Sequence, residues 1–365
     1  MKPRIGFVLE QALGHVAYGM SLKRALGARD DLECVWLDVP FTPGDFARLP
    51  AVGKNWTVRG SFRARRAIAE AHRAKPLDAL FVHTQTVSVL SGDFISRIPT
   101  LLSLDATPLN YDELASWYGD VVHSPAVERA KLLVHRAIVR RARRFTTWSE
   151  WAKASLVRNY GADPAAVTVI HPGTTLGNFP DPGTRGPRRP GPLRVLFVGG
   201  DFVRKGGDLL IDVHRKYLKD TCELHLVTAA SIPPGDGVHV YNGVKPHSPE
   251  LLSLYANADV FVLPTRGDCL AVVLGEAMAS SLPIVTTRVG AHAEAVQEGE
   301  SGFVIEKDDA GALRDRLSRL ARDPDLVRRM GERSRRFGEE RFDMDKNANR
   351  IADLLIELSG AGAAR

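Results

Sequence analysis

Short apolar runs recur along the chain, and each gives way to a loop rich in Gly, Pro, Asp or Thr and then to a stretch with helical spacing. The runs at Arg4–Leu9, Leu32–Leu37, Ala79–Val82, Leu101–Leu104, Phe145–Trp148 and Val167–Ile170 alternate poorly, as strands covered on both faces do. The same rhythm restarts at Leu193–Val198 and continues through Cys222–Val227, Val238–Tyr241, Val260–Leu263, a run closing at Val285, and Gly302–Ile305. Strand and helix in alternation predict an α/β, doubly wound architecture built on parallel sheets. Between the two series, residues 181–192 read DPGTRGPRRPGP and offer nothing apolar to bury, so they are assigned as a linker. The expected organisation is a domain over 1–180, a second over 193–340, and a closing segment, 341–365, that holds an amphipathic helix at Asp343–Leu358. A chain of 365 residues also exceeds what one hydrophobic core usually serves.

The densest chemistry lies in Ala258–Val285. A buried strand runs through Pro264 into the loop Thr265-Arg266-Gly267-Asp268-Cys269, and the loop opens a helix carrying Glu276. In open α/β sheets ligands sit beyond the carboxyl ends of parallel strands. Backbone N–H groups following Asp268, through Cys269, Leu270 and Ala271, are expected to seat an anion at the helix start. If both were helical, Asp268 and Glu276 would point about 80° apart, facing one cleft. Taken alone, the two also read as a loop acid and a helix-surface acid.

Other loops carry polar groups at matching places. The strand Leu193–Val198 ends in Gly199-Gly200 and then Arg204-Lys205 ahead of a helix. In the first half, Gly14-His15 follow the first strand, His83-Thr84-Gln85 the third, and Asp105-Ala106-Thr107-Pro108 the fourth.

These stretches resemble the retaining glycosyltransferases of family 4, which have the GT-B fold of two Rossmann-like domains facing a cleft. The segment around Asp268 and Glu276 resembles their Glu-x7-Glu region, with Asp in the first place. The loop at 199–205 resembles their strand, Gly-Arg, Lys-Gly pattern, with Gly200 where Arg usually stands and Arg204 beside Lys205 instead. Gly290 and Glu294 match a Gly-Gly-x-x-Glu element in which Ala291 departs, and TTWSEWAKASLVRNYGADPAAVTVIHPG resembles the end of the first domain.

The resemblance implies donor binding by Gly14, Gly199, Gly200, Arg204, Lys205, Gly267, Asp268, Cys269, Leu270, Ala271 and Glu276, with Asp268 on the sugar hydroxyls and Glu276 on the ribose. Arg204 and Lys205 would steady the leaving diphosphate. Asp105 and His83 are assigned to the acceptor or sugar side, since Leu104-Asp105 replaces the family's His-Asp pair. The implied reaction is transfer from a nucleoside diphosphate sugar, UDP-sugar ahead of GDP-sugar, to a glycan, lipid-linked or small-molecule acceptor, with retention and by front-face attack. No cofactor is implied: no Asp-x-Asp motif follows a strand, and the Arg/Lys pair serves where a metal would. The closing helix is implied to pack back on the first domain. Two other readings stay open, a non-hydrolysing nucleotide-sugar epimerase and a non-catalytic nucleotide or glycan binder. An oxidoreductase is disfavoured, because neither first strand continues into G-x-G-x-x-G.

Charge refines the picture. Residues 1–180 hold 23 Lys and Arg against 16 Asp and Glu, whereas the rest holds 26 against 27. The positive field of the first half favours a phosphorylated acceptor, an acidic glycan or an anionic membrane surface rather than nucleic acid. Arg59–Lys75 is Arg-rich, and Arg129–Arg144 gathers positions 129, 136, 140, 143 and 144 on one helical arc, beside Ala130, Val134, Ala137 and Ile138. Such helices fit a solvated face or a peripheral membrane contact. The three cysteines are far apart, no signal peptide is evident and no apolar run reaches the roughly 20 residues of a membrane span, so the expected location is cytoplasmic, with contact at the inner membrane face.

Overall fold

The computed structural model describes residues 2–12, 14–42, 55–118, 124–179, 190–233 and 235–363. It divides into two units, one of Met1–Glu113, Val121–Pro172 and Met344–Arg365, the other of Leu114–Asp120 and Gly173–Asp343. Of the predicted linker, residues 181–189 lie outside the described residues.

The first unit is built on six parallel strands: β1 (Arg4–Gln11), β2 (Glu33–Pro40), β3 (Ala79–His83), β4 (Thr100–Leu104), β5 (Arg144–Thr147) and β6 (Val167–Val169), in the spatial order β2-β1-β3-β4-β5-β6. The direction of winding reverses between β1 and β3, which is where a doubly wound sheet opens a crevice. β3 and β4 are buried at every position, while the edge strand β2 is only half covered, which is why the inner strands lack alternation. Val8, Leu80, Val82, Leu102, Ile68 and Leu156 share one core cluster. The pairings Leu9↔His83 and His83↔Ser103 set the carboxyl ends of β1, β3 and β4 side by side.

Local signals fix the covering helices. Trp56–Ala74 starts at Asn55, whose side chain accepts the Val58 N–H. Glu150–Tyr160 starts at Ser149, which accepts the Ala152 N–H, and stops at Gly161 with φ of 76°. The closing helix, Met344–Ala363, belongs to the first unit, buries Ile351, Leu355 and Leu358, and is tied to it by Arg24–Asp345 and Arg29–Asp353 ion pairs of 2.9 Å. The basic helix is shorter than its charge pattern predicts. It spans Pro125–Val139, because Arg143 donates its N–H to Thr100 and Arg144 already pairs with Leu101 in β5. Arg143 and Arg144 therefore leave the helical arc.

The second unit holds β7 (Leu193–Val198), β8 (Cys222–Val227), β9 (Val238–Tyr241), β10 (Val260–Leu263), β11 (Ile284–Thr287) and β12 (Gly302–Ile305), all parallel, in the order β12-β11-β10-β7-β8-β9. Counted from its own first strand this is the 3-2-1-4-5-6 arrangement of dinucleotide-binding sheets, with the reversal between β7 and β10. Buried Asp259, one residue before β10, accepts the Arg194 N–H at 2.9 Å and pairs with its guanidinium at 3.0 Å, pinning β10 to β7.

Candidate functional site

The loops that leave β7 and β10 meet at the reversal point of the second sheet. Their backbones are stitched together: the Arg266 N–H donates to the Arg204 carbonyl at 2.8 Å, and the Arg204 guanidinium donates from Nη1 to the Gly267 carbonyl at 2.7 Å. Approach this close depends on Gly206, at φ of 77°, where a Cβ would strike the Pro264 carbonyl. Gly290, at φ of 53°, does the same from the loop after β11, lying against the Asp268 and Cys269 carbonyls. Leu114–Asp120 belongs to this unit as well. The Tyr118 ring lies under the Arg204 guanidinium at 4.6 Å, and Trp117 under that of Arg266 at 5.5 Å.

Within this frame Lys205 and Asp268 form a direct ion pair, each largely buried. Burial pushes the Lys205 ammonium down to about 7, and the adjacent Arg204 adds repulsion. The Asp268 carboxylate in contact with Lys205 favours the charged form. Arg204 is also held by Asp201 at 3.0 Å. The structure thus brings Arg204, Lys205, Gly267 and Asp268 together. Gly199 lies beneath the Lys205 stem, and Gly200 is exposed with open space around its Cα.

Two features differ from the sequence reading. Asp268 is a loop residue, since the helix that follows spans only Val273–Ala279, so the 80° relation with Glu276 does not apply. The tight return at Gly290 holds residues 268–272 out of the helix. The anion seat is also reduced: the Ala271 N–H is taken by His292 Nε2 at 3.3 Å. Thr286 donates its hydroxyl to the Leu263 carbonyl, so His292 Nδ1–H must donate to Thr286 Oγ1 at 2.9 Å. His292 is therefore the neutral Nδ1–H tautomer, and burial, with Lys205 nearby, depresses it to about 3. Cys269, Leu270 and Ala271 are buried in this turn.

Glu276 lies in the first turn of Val273–Ala279 and accepts a 2.8 Å hydrogen bond from the Tyr255 hydroxyl. Burial pushes its carboxyl up to about 7 against that hydrogen bond. Such a group holds its proton until neutral pH unless a ligand supplies more donors.

The first unit assembles a different cluster at its own reversal point. Asp105, after β4, lies 3.2 Å from His15 Nε2, and Glu10, near the end of β1, lies 3.6 Å from His15 Nδ1. Glu10 also accepts from Trp56 Nε1 at 2.5 Å and from the Thr84 hydroxyl at 2.6 Å. Burial alone would lower His15, but the two carboxylates outweigh it and raise the imidazole to about 10; His15 in turn holds Asp105 below the ordinary carboxylate range against burial. His83 is not among the exposed groups of this edge. It is 1% exposed, stacked on Trp148 at 5.1 Å and bonded through Nδ1 to Ser103, and burial depresses it to about 3. It forms the floor under His15, whose ring meets it edge-on at 4.8 Å. Gly14 is exposed at the first turn of Gly14–Leu26. The sequence reading passed over Glu10, an acid in a strand buried at six of its eight positions, which was the available signal. It also passed over Trp117, Tyr118 and Tyr255, which look like ordinary core aromatics until the fold is known.

Two parallel sheets, each with polar groups at its reversal point, define a GT-B protein. The solved structures agree. Sucrose-phosphate synthase from Thermosynechococcus elongatus aligns over 98% of this chain and 100% of its own with a TM-score of 0.76 at 20% identity. Anabaena HepE in complex with UDP and glucose aligns over 97% and 99% with a TM-score of 0.67 at 17% identity. A family model described as "Glycosyl transferase 4-like domain" matches residues 13–173, and one described as "Glycosyl transferases group 1" matches residues 192–323. The chain belongs to this glycosyltransferase family. A D-inositol 3-phosphate glycosyltransferase of Streptomyces bingchenggensis is 30% identical over 62% of this chain, and the match spans 56% of that relative's length.

Proposed function

We propose that the chain transfers a glycosyl group from a nucleoside diphosphate sugar, UDP-sugar first, with retention at the anomeric carbon and without a metal on the leaving group. The observation that carries this reading is the meeting of Arg204 and Lys205 with Asp268 at the reversal point of a dinucleotide-type sheet. An arriving diphosphate would compete with Asp268 for Lys205, so donor binding itself would release the Asp268 carboxylate to take sugar hydroxyls. Arg204 and Lys205 would then stabilise charge growing on the departing diphosphate, which is electrostatic preorganisation. Glu276 would accept the ribose hydroxyls, and Tyr255 keeps its second oxygen in place.

Acceptor contacts are assigned to Asp105, with His15 holding it ionised and His83 supporting that imidazole from below. Phosphorylated polyols are the acceptors to test first. The first half of the chain is basic, the Streptomyces relative is named for inositol 3-phosphate, and buried Arg59 lies beside Trp56 with an Nε that has no hydrogen-bond partner. A lipid-linked acceptor is the other proposal. The helices Trp56–Ala74 and Pro125–Val139 expose Phe62, Val127, Leu133 and Val134 among their basic residues, a composition that suits the face of an anionic membrane. No helix among the described residues is long and apolar enough to cross a membrane.

The test is incubation with UDP-, GDP- and ADP-sugars and a panel of phosphorylated and glycosidic acceptors, reading nucleotide release and the anomeric configuration of the product. Acceptor-dependent release with retained configuration is the expected outcome. Interconversion of the donor sugar without release would mean epimerisation, and tight donor binding without turnover would mean a binder; either result overturns the proposal.

A further inference from the structure

The outer strands of the second sheet carry a cluster that the donor loops do not use. β8 and β9 pair with His225 opposite His239, so the two imidazoles lie on one face, 4.8 Å apart between centroids and inclined by 18°. Glu223 stands two residues before His225 on the same strand and therefore shares that face. Tyr241, two residues beyond His239, meets His225 Nδ1 through its hydroxyl at 3.0 Å. The other ring nitrogen, His225 Nε2, is buried, has no hydrogen-bond partner and lies 4.0 Å from Glu223 Oε2. One ligand atom from each of Glu223, His225 and His239 falls within 4.8 Å of the other two.

This is an unfavourable arrangement for three ordinary polar groups. Two cross-strand imidazoles cannot both be protonated without repulsion, and a buried ring nitrogen with no partner costs its desolvation. The nearby Arg194 guanidinium is already neutralised by Asp259 at 3.0 Å. The Tyr241 contact engages Nδ1 and leaves Nε2 as the ligand atom, as outer partners of metal-bound histidines do.

We propose that Glu223, His225 and His239 bind one divalent transition metal ion of the Zn2+ type, His225 through Nε2. Two imidazoles and a carboxylate are a borderline donor set that suits this ion. Tetrahedral coordination at about 2.0–2.1 Å needs donors about 3.4 Å apart, so side chains whose ligand atoms lie within 4.8 Å of one another would have to rotate inward to close on the ion. A cavity of about 360 Å³ walled by His225, Tyr241 and Glu250 adjoins the cluster, with room for water. The ion would clip the edge strand β9 to β8. The site lies ahead of the carboxyl ends of strands two and three of the 3-2-1-4-5-6 order, away from the loops after β7 and β10, so it is independent of the transferase reading.

The test is calorimetric titration of Zn2+ into chelator-dialysed full-length protein, with Co2+ absorption as the reporter of coordination geometry. One ion per chain with a dissociation constant of about 1 µM or tighter is expected, together with an intense four-coordinate Co2+ spectrum. His239→Gln alters an exposed side chain, and Glu223→Gln a half-exposed one, so both variants should fold. Loss of even a supporting partner costs about ten- to a hundredfold in metal affinity, so each should weaken binding at least that much while UDP affinity stays unchanged. No uptake at about 100 µM Zn2+, or variants that bind as the wild type does, would overturn the site.

Discussion

The two sheets solve the same topological problem with opposite chemistry. Both reverse their winding beside their own first strand, and both gather polar side chains there. In the second unit the gathered groups are Arg204 and Lys205, held by a backbone carbonyl, an aromatic face and two carboxylates, Asp201 and Asp268. In the first unit they are an imidazolium between two acids, Glu10 and Asp105, on a floor of His83 and Trp148. Carboxylates offset the cations of the second crevice and outnumber the imidazolium of the first, so the contrast is one of kind: a guanidinium beside an ammonium suits a diphosphate, whereas a His–acid cluster suits a hydroxyl and the proton it must lose. The comparison teaches that one topology, a reversal beside the first strand, can carry different side chains on its loops and so different chemistry.

The sharpest way to break this contrast is Lys205→Ala. If the second crevice stabilises charge that develops during reaction, turnover should fall by about 10² to 10³, with a smaller change in donor KM. Equal loss in both would reduce Lys205 to a docking group.

His15→Gln should show the opposite profile, a loss of stability on the order of 3 kcal/mol, because buried Glu10 and partly buried Asp105 lose their shared cation. The folded His15 sits at about 10 against 6.5 when unfolded, so its stabilisation is complete below 6.5 and disappears as pH rises through about 10. Denaturant melts of the two proteins should therefore differ most near pH 6 and converge toward pH 10. A gap that stays constant would argue that the variant merely packs badly.

Glu276 links function to cost. Its carboxyl titrates near 7 in the fold and near 4.5 outside it, so burial penalises the ionised form, and the penalty builds as pH rises from about 4.5 and is complete above about 7. Glu276→Gln should leave stability unchanged below about pH 4 and raise it at pH 8 by on the order of 2 kcal/mol. The same variant should weaken UDP by roughly 2 kcal/mol at pH 8 through lost charge-assisted bonds. Unchanged UDP affinity would remove Glu276 from the ribose. The smallest effect is expected at Tyr118→Leu, which removes the face under Arg204 and should raise donor KM by a factor of about five, near 1 kcal/mol.

Much of the fold was legible before any coordinates. β8, β9, β10 and β12 fall where their apolar runs predict, and in β10, buried at every position, composition alone announces the strand. The basic helix was overextended by five residues, since charge spacing cannot sense that Arg144 is claimed by a neighbouring strand.

The sequence by itself determined two series of parallel strands, the loops that leave them, and the Arg, Lys and acid residues on those loops, because each depends on spacing along the chain. Only the tertiary structure decided that Lys205 meets Asp268, that Asp105 belongs to His15 rather than to His83, and that three residues of β8 and β9 share one face. Those facts depend on strand order, and strand order is set by which helices cover which face, a choice that no local stretch of sequence encodes.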